Sequence, residues 1–489
     1  MTEKHDNSKV FIDDTCMQKT KNLVQIALPA IFALFFSFVP ELVNLHQVGQ
    51  EGKAEEINGI ALGNIILTIL PFTVMWGFCG SLDTFLGQAF GAQDFDLAGH
   101  YLNAGKTLMV AVFLPMFGIV YFSETILVTF GQDSKSSYQA WLYLIYLTPG
   151  IFFMYQYDAQ RRLLQQFKMV KLQAMICFIS AVAHYILSYQ FIREQNMGVI
   201  GAAIATNIAY FINFALANVV SRWNPILSRA NVRLDFTQMR FRNLIRVGFF
   251  NMTMIGLKWW SFQYLILLAA RISIIDQIAF NNLFNFSYLI ITVATGISNA
   301  FSQIIASSIG AKQYERAKSY GKFVYQQGVP LALCFCIILQ LSKRQISLFF
   351  GSDPLILQKM LDSFDLASIS LFFDWFQQLQ LSMIRAIGLY KLASFTNFMA
   401  YECVLIPFAT ITVIYFDASV YSLWVSLIVA YASVNTLYFF AIWGCNCSIK
   451  QFKKNQGILH SDDSYEVQQE KQKYMDDEAL SKDLKRKLI

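Results

Sequence analysis

The sequence predicts an all-α polytopic membrane protein, with twelve transmembrane helices in two six-helix lobes related by pseudo-two-fold symmetry. Three observations predict it. The first is affinity for lipid: of 489 residues, 55% are hydrophobic and 14% charged, with a mean hydropathy of +0.43, whereas soluble domains carry about 25% charged residues. That composition argues against a soluble enzyme. The second is capacity. At about 20 residues per span, twelve spans need roughly 240 apolar residues, and 55% of 489 supplies them. The third is an internal repeat, described below.

Windows of about 19 residues place the first six spans near 23–45, 57–80, 100–122, 138–160, 171–192 and 198–220. The second six lie near 244–270, 277–304, 320–341, 357–384, 391–415 and 418–443. The organisation that follows is a cytosolic N-terminal segment (1–22), an N-lobe (23–220), a cytosolic linker (221–243), a C-lobe (244–445) and a charged cytosolic tail (446–489). Residues Met1 to Asn22 are polar, so the first span is expected to act as its own insertion signal. The linker holds Arg222, Arg229, Arg233, Arg240 and Arg242. Alternate loops beginning with the N-terminal segment carry about 20 Lys and Arg, against about 7 in the others, which puts both termini in the cytosol. The sequons at Asn251 and Asn285 fall within spans and that at Asn446 in the cytosol, so none is an expected glycosylation site.

The eight cysteines show no metal-ligand spacing, because the Cys334-x-Cys336 pair lies in an apolar run without His or acidic neighbours. They read as reduced packing residues, and neither a metal nor a cofactor is expected.

The repeat lays Gly77 to Tyr101 over Gly296 to Tyr320. Gly77, Gly91, Ala92, Ala98 and Tyr101 fall on Gly296, Gly310, Ala311, Ala317 and Tyr320. Each half has an even number of spans, so the copies share one orientation and are related by an axis along the membrane normal. That arrangement predicts two lobes facing across a cleft and rocking between access states. The Gly-Ala pairs are read as helix ends, where glycine permits the turn.

The segment GSLDTFLGQAFGA, Gly80 to Ala92, resembles the second-span signature of the multidrug and toxic compound extrusion (MATE) transporters, especially their eukaryotic branch. Within it, Asp83, Thr84, Gln88 and Gly91, with Gly310 in the second copy, are the fold motif. Similar traits run along residues 20–445. They are VGQEG at Val48 to Gly52, Leu164 with Gln165, His184, GVIGAA at Gly198 to Ala203, and WWSF at Trp259 to Phe262. Asp374, Gln378, Arg385, Gly388, Asn397, Tyr401 and Pro407 also fit. The resemblance implies an antiporter exporting small organic or xenobiotic molecules in exchange for protons or sodium. Where many eukaryotic members carry Glu-Trp-Trp in the seventh span and a further Glu five residues on, this chain has Lys258, Trp259, Trp260 and Gln263. Asn285 stands where an acidic residue often precedes the eighth-span motif, and Phe250 where a proline is expected, although its first-span counterpart Pro29 is present.

An ammonium at the bilayer centre costs at least about 2.5–3.5 kcal/mol on insertion scales, so Lys258 needs a partner or a wet cavity. Two readings follow: an ion pair with Asp374 or Glu402, or an ammonium facing the cavity. In the cavity it would stand in for the coupling ion or exchange protons itself. In the first lobe Glu41 follows Pro40, a candidate kink with a cation contact or an interfacial carboxylate. His184 is either a packing residue or a titrating cavity group. Asp83 reads as a cap or an ion-pair partner, and Asp158 as a salt bridge with Arg161 and Arg162. Trp259, Trp260, Tyr155 and Tyr288 are candidates to line an amphipathic cavity.

The expected function is export of a small-molecule substrate by alternating access, with a proton or sodium as coupling ion and proton coupling in doubt because of Lys258. The alternatives are a carrier of lipid-linked cargo and a transport-dead scaffold. No HExxH, GxSxG or Walker sequence is present, so the chain reads as a non-enzyme with no nucleic-acid partner. A monomer in the lipid bilayer is expected, in the plasma membrane or a vacuole-like membrane.

Overall fold

A computed structural model describes residues 15–49, 54–237, 239–350, 354–416 and 419–444. The first fourteen residues, part of the VGQEG segment, Cys445, the Asn446 sequon and the tail 446–489 lie outside the described residues.

Among the described residues, twelve long helices carry the chain. They are α1 Cys16–Gly49, α2 54–92, α3 Phe95–Tyr121, α4 Ser134–Gln166, α5 Val170–Glu194 and α6 Gly198–Trp223, then α7 Phe241–Ile272, α8 Ile274–Gly310, α9 Tyr314–Leu341, α10 Pro354–Ile387, α11 Tyr390–Tyr415 and α12 421–444. Nine of them are long and apolar enough to cross a membrane by length and composition alone. The other three, α4, α7 and α10, hold Asp158 with Arg161 and Arg162, Lys258, and Asp374 respectively. The most polar spans are therefore those whose charges need partners inside the fold. The helices outrun the bilayer: α1 has 34 residues, about 51 Å at 1.5 Å each, against a hydrocarbon core of about 30 Å. Such helices tilt or project into the headgroups. Accordingly α1 begins at Cys16, inside the segment read as an N-terminal extension, and it continues unbroken through Pro29 and Pro40.

Two separate cores fill the lobes. Leu82, Phe85, Tyr101 and Tyr157 centre the first; Phe280, Trp375, Tyr401 and Trp424 centre the second. Leu23 and Ala27 of α1 pack into the second core, so the start of α1 leans on the opposite lobe. Leu114, Leu267, Ile338 and Tyr415 project outward, as they would toward acyl chains rather than water. Cys334 and Cys403 are also exposed, and among the described cysteines only Cys79 and Cys177 are buried, which corrects the reading of the cysteines as packing residues.

The lobes meet along α1, α2, α7 and α8, with α1 against α8 and α2 against α7 and α8. Here the repeat becomes physical. A Cβ on Gly91 would lie 2.0 Å from the Ser307 carbonyl oxygen, and one on Gly310 would lie 1.9 Å from that of Gln88. Gln88 and Ser307 are themselves counterparts in the repeat, as Gly91 and Gly310 are, so the crossing is one contact made twice around the pseudo-two-fold. Both glycines are helical. The left-handed turn falls two residues later, at Gln93 and Lys312, each with φ 60°. Glycine is required for backbone approach, not for the turn. A second pair of close approaches lies farther along: Gly77 abuts Met252 and Gly296 abuts Ile31.

The linker folds under the N-lobe. Asn103 donates to the Val232 carbonyl at 3.2 Å, Asn231 donates to that of Ser221 at 3.0 Å, and the Arg229 guanidinium lies 5.4 Å from the Phe95 ring centre.

Candidate transport site

Lys258 sits near the middle of α7, about equally far from Phe241 and Ile272. Its ammonium donates to Asp374 Oδ1 on α10 and, at 3.4 Å, to Gln377 Oε1 one turn farther on. The second carboxylate oxygen accepts from the Tyr431 hydroxyl at 3.2 Å, and Gln377 Oε1 accepts from Tyr401 at 2.9 Å. The ammonium also lies 5.6 Å from the Phe262 ring centre and 5.2 Å from that of Tyr431. The ion-pair side chains are 13% and 11% exposed. Burying two charges is tolerable only when each is paired and its remaining donors or acceptors are satisfied, and α7, α10, α11 and α12 together provide that here. Of the two partners weighed for Lys258, Asp374 holds the ammonium. Glu402, in a π-helical stretch of α11, accepts instead from Ser261 at 3.4 Å.

The remaining C-lobe candidates surround this pair without forming one constellation. Trp259 meets Tyr288 edge to face at 5.1 Å, and Tyr288 meets Phe38 of the N-lobe at 5.5 Å. Trp260 donates to the Ile69 carbonyl of α2 at 2.9 Å. These aromatics bridge the lobes near mid-height. Gln263 is half-buried and Asn285 exposed. Tyr155 departs from the cavity-lining expectation: it is fully buried and donates to the Pro71 carbonyl at 2.7 Å.

In the N-lobe the Glu41 side chain lies at the surface of α1 and accepts from Asn64 at 3.2 Å. His184 is completely buried; its Nε2 lies 3.2 Å from the Thr206 hydroxyl, which also accepts from Asn44 at 2.9 Å. This is a core polar cluster, and its Asn44 lies one helical turn beyond Glu41 on α1.

The fold motif closes the seam at one end. Thr84 donates to the Arg385 carbonyl, Gln88 to that of Ala386 at 3.1 Å, and Tyr390 to that of Gly80 at 3.1 Å. Beneath them Asp83 pairs with Arg162 at 2.5 Å and accepts from Gln166 at 3.3 Å, while Asp158 pairs with Arg161 at 2.5 Å. Lys19 donates to Ser319 at 2.6 Å and Asn22 to Tyr320 at 3.2 Å across the same end. Gln377, Tyr431 and Tyr390 escaped the sequence reading. Gln377 was within reach of it, one helical turn beyond Asp374; Tyr390 and Tyr431 sit among 23 tyrosines with nothing local to single them out.

A sequence model of the MatE family matches residues 29–190 and 252–411. Multidrug and toxin extrusion protein 1 of Xenopus tropicalis is 24% identical over 401 residues, covering 81% of this chain and 69% of that one. Protein DETOXIFICATION 14 of Arabidopsis thaliana is 23% identical, covering 87% and 88%. The crystal structure of the eukaryotic MATE transporter AtDTX14 superposes with a TM-score of 0.83 at 21% identity, covering 90% of this chain and 98% of that one. With the family model spanning most of both lobes and the twelve-helix, two-lobe fold in place, the chain belongs to the MatE family of membrane transporters and resembles its eukaryotic type.

Proposed function

We propose that this protein is a secondary active exporter of small organic molecules, with lobes 23–220 and 244–445 rocking about the Gly91–Gly310 crossing and both termini cytosolic. The plasma membrane or a vacuole-like membrane suits it equally. The relatives named for multidrug and toxin extrusion support the export of xenobiotics.

The coupling mechanism rests on one observation: the Lys258 ammonium lies on the Asp374 carboxylate inside the C-lobe. An ammonium in that place does electrostatically what a bound proton or sodium ion would do, because it neutralises the buried carboxylate. The neutralising charge is tethered to α7 and does not leave, so this lobe completes the transport cycle without exchanging an ion at Asp374. Any antiported cation is carried by another carboxylate, and Glu41, at the surface of α1 with the Asn64 amide as its hydrogen-bond partner, is the group assigned to it.

Flux of a fluorescent organic cation and of a fluorescent organic anion into proteoliposomes, with and without a pH gradient, tests this reading. Wild-type flux should respond weakly to the gradient, and Lys258→Glu should create or increase the response. Unchanged pH dependence in the variant refutes the role of Lys258. Absence of flux with any cargo refutes the exporter and favours the scaffold.

A further inference from the structure

A cavity of about 480 Å³ lies on the lobe seam away from the ion pair, between α1 on one side and α8, α9 and α10 on the other. Val24, Leu28 and Leu331 line it and are 50%, 51% and 36% exposed, so it is a trough open to the side of the molecule, where acyl chains lie. Its α1 wall runs from Thr20 to Ile31. Eleven residue steps at 1.5 Å give about 16 Å, half of a hydrocarbon core of about 30 Å: the depth of one leaflet.

The two ends differ. Toward mid-membrane the trough is closed by Ile31 against Gly296. At the helix ends it carries basic side chains: Lys21 is exposed three residues before Val24, on the same face of α1, and the half-buried Arg316 lies 5.8 Å from the Tyr320 ring centre, while Lys19 beside them is buried and bonded to Ser319. An apolar slot one leaflet deep with a cationic rim at headgroup level has the charge and shape complementary to an anionic phospholipid.

We infer that this trough is a binding site for one acyl chain of an anionic phospholipid, with the phosphate held at the Lys21 and Arg316 rim. Its walls belong to different lobes, so an occupying chain bridges them and favours the conformation in which both walls are in register. Under the proposed orientation the lipid comes from the cytosolic leaflet, but the site itself does not depend on orientation or on transport.

Cys334 lines the trough and supplies the probe. A bimane on Cys334, with the other cysteines replaced by alanine, is measured in nanodiscs of phosphatidylcholine doped with dibrominated-chain phosphatidylglycerol or dibrominated-chain phosphatidylcholine. Quenching should saturate at a several-fold lower mole fraction of the anionic lipid. Leu28→Trp, which fills the slot, should abolish the preference, and Lys21→Gln/Arg316→Gln should reduce it several-fold. Native mass spectrometry of the unaltered chain should show one retained phosphatidylglycerol that Leu28→Trp loses. Quenching proportional to mole fraction and indifferent to headgroup means annular lipid only and overturns the inference, as does native mass spectrometry in which Leu28→Trp retains the lipid.

Discussion

Lys258→Met removes one member of the buried ion pair while keeping most of the side-chain length. The structure sets the size of the effect. The Asp374 side chain is 11% exposed, so the carboxylate left behind is nearly out of water, and stranding a buried charge costs about 3–5 kcal/mol. The Tyr431 hydroxyl at 3.2 Å stays with it and holds the loss toward the lower end of that range. An unfolding entropy of about 2.1 cal/mol/K per residue over 489 residues gives roughly 1 kcal/mol per kelvin. The apparent Tm near neutral pH should therefore fall by about 3–5 °C in intrinsic-fluorescence melts of the detergent-purified protein at a fixed scan rate. Lys258→Met/Asp374→Asn leaves no charge behind and should recover most of the loss, a coupling of about 2–3 kcal/mol in the double-mutant cycle. A single variant that melts with the wild type, or a double variant whose loss is the sum of the singles, refutes the argument.

Three further outcomes follow from the seam. Gly91→Ala and Gly310→Ala each place a methyl about 2 Å from a carbonyl oxygen of the facing helix, so each should lower stability by about 1–3 kcal/mol; because the crossing is one contact, the double variant should lose much less than the sum, read by the same melts. Tyr390→Phe removes the hydroxyl that bonds Gly80 at 3.1 Å and should cost about 0.5–1.5 kcal/mol, with faster thiol labelling of a cysteine placed at Gln88. Burial, and secondarily the Arg316 guanidinium, hold the Lys168 ammonium below its usual value. A lysine depressed in the closed state opposes closure while it is charged, so closure should strengthen as the pH rises through the lowered value; Lys168→Met should abolish that dependence in spin-label distances between the α4–α5 and α8–α9 loops.

Much of the fold was legible because its signals are local and redundant. Apolar windows report insertion, and the match of Gly77–Tyr101 with Gly296–Tyr320 reports the symmetry. What the glycines do was not legible: Gly91 and Gly310 look like helix ends, and only the facing carbonyls of Ser307 and Gln88 reveal a helix crossing. The charges follow the same division. That Lys258 needed a partner followed from desolvation; that the partner is Asp374 and not Glu402 depends on which faces of α10 and α11 point toward α7, and this is fixed by packing between segments far apart in the chain.

The symmetry itself locates the specialised chemistry. The register that sets Gly296 on Gly77 sets Lys258 on Val39 and Asp374 on Tyr155, and the residues just before those two, Phe38 with Ser37 and Met154 with Phe153, are uncharged as well. The ion pair therefore has no counterpart in the N-lobe, whose own buried pairs, Asp83 with Arg162 and Asp158 with Arg161, belong to the closed end of the seam. Where the lobes cross, the repeat is kept at the level of backbone contact, since a crossing shared by two equivalent helices leaves no room for an added methyl on either. In their charged groups the lobes have diverged, leaving a carboxylate bonded to Asn64 at Glu41 in one and a carboxylate paired with Lys258 at Asp374 in the other. Under the proposed mechanism the frame rocks symmetrically and charge is exchanged asymmetrically, so a substitution at Glu41 should alter ion dependence without altering the melting behaviour that Lys258→Met disturbs.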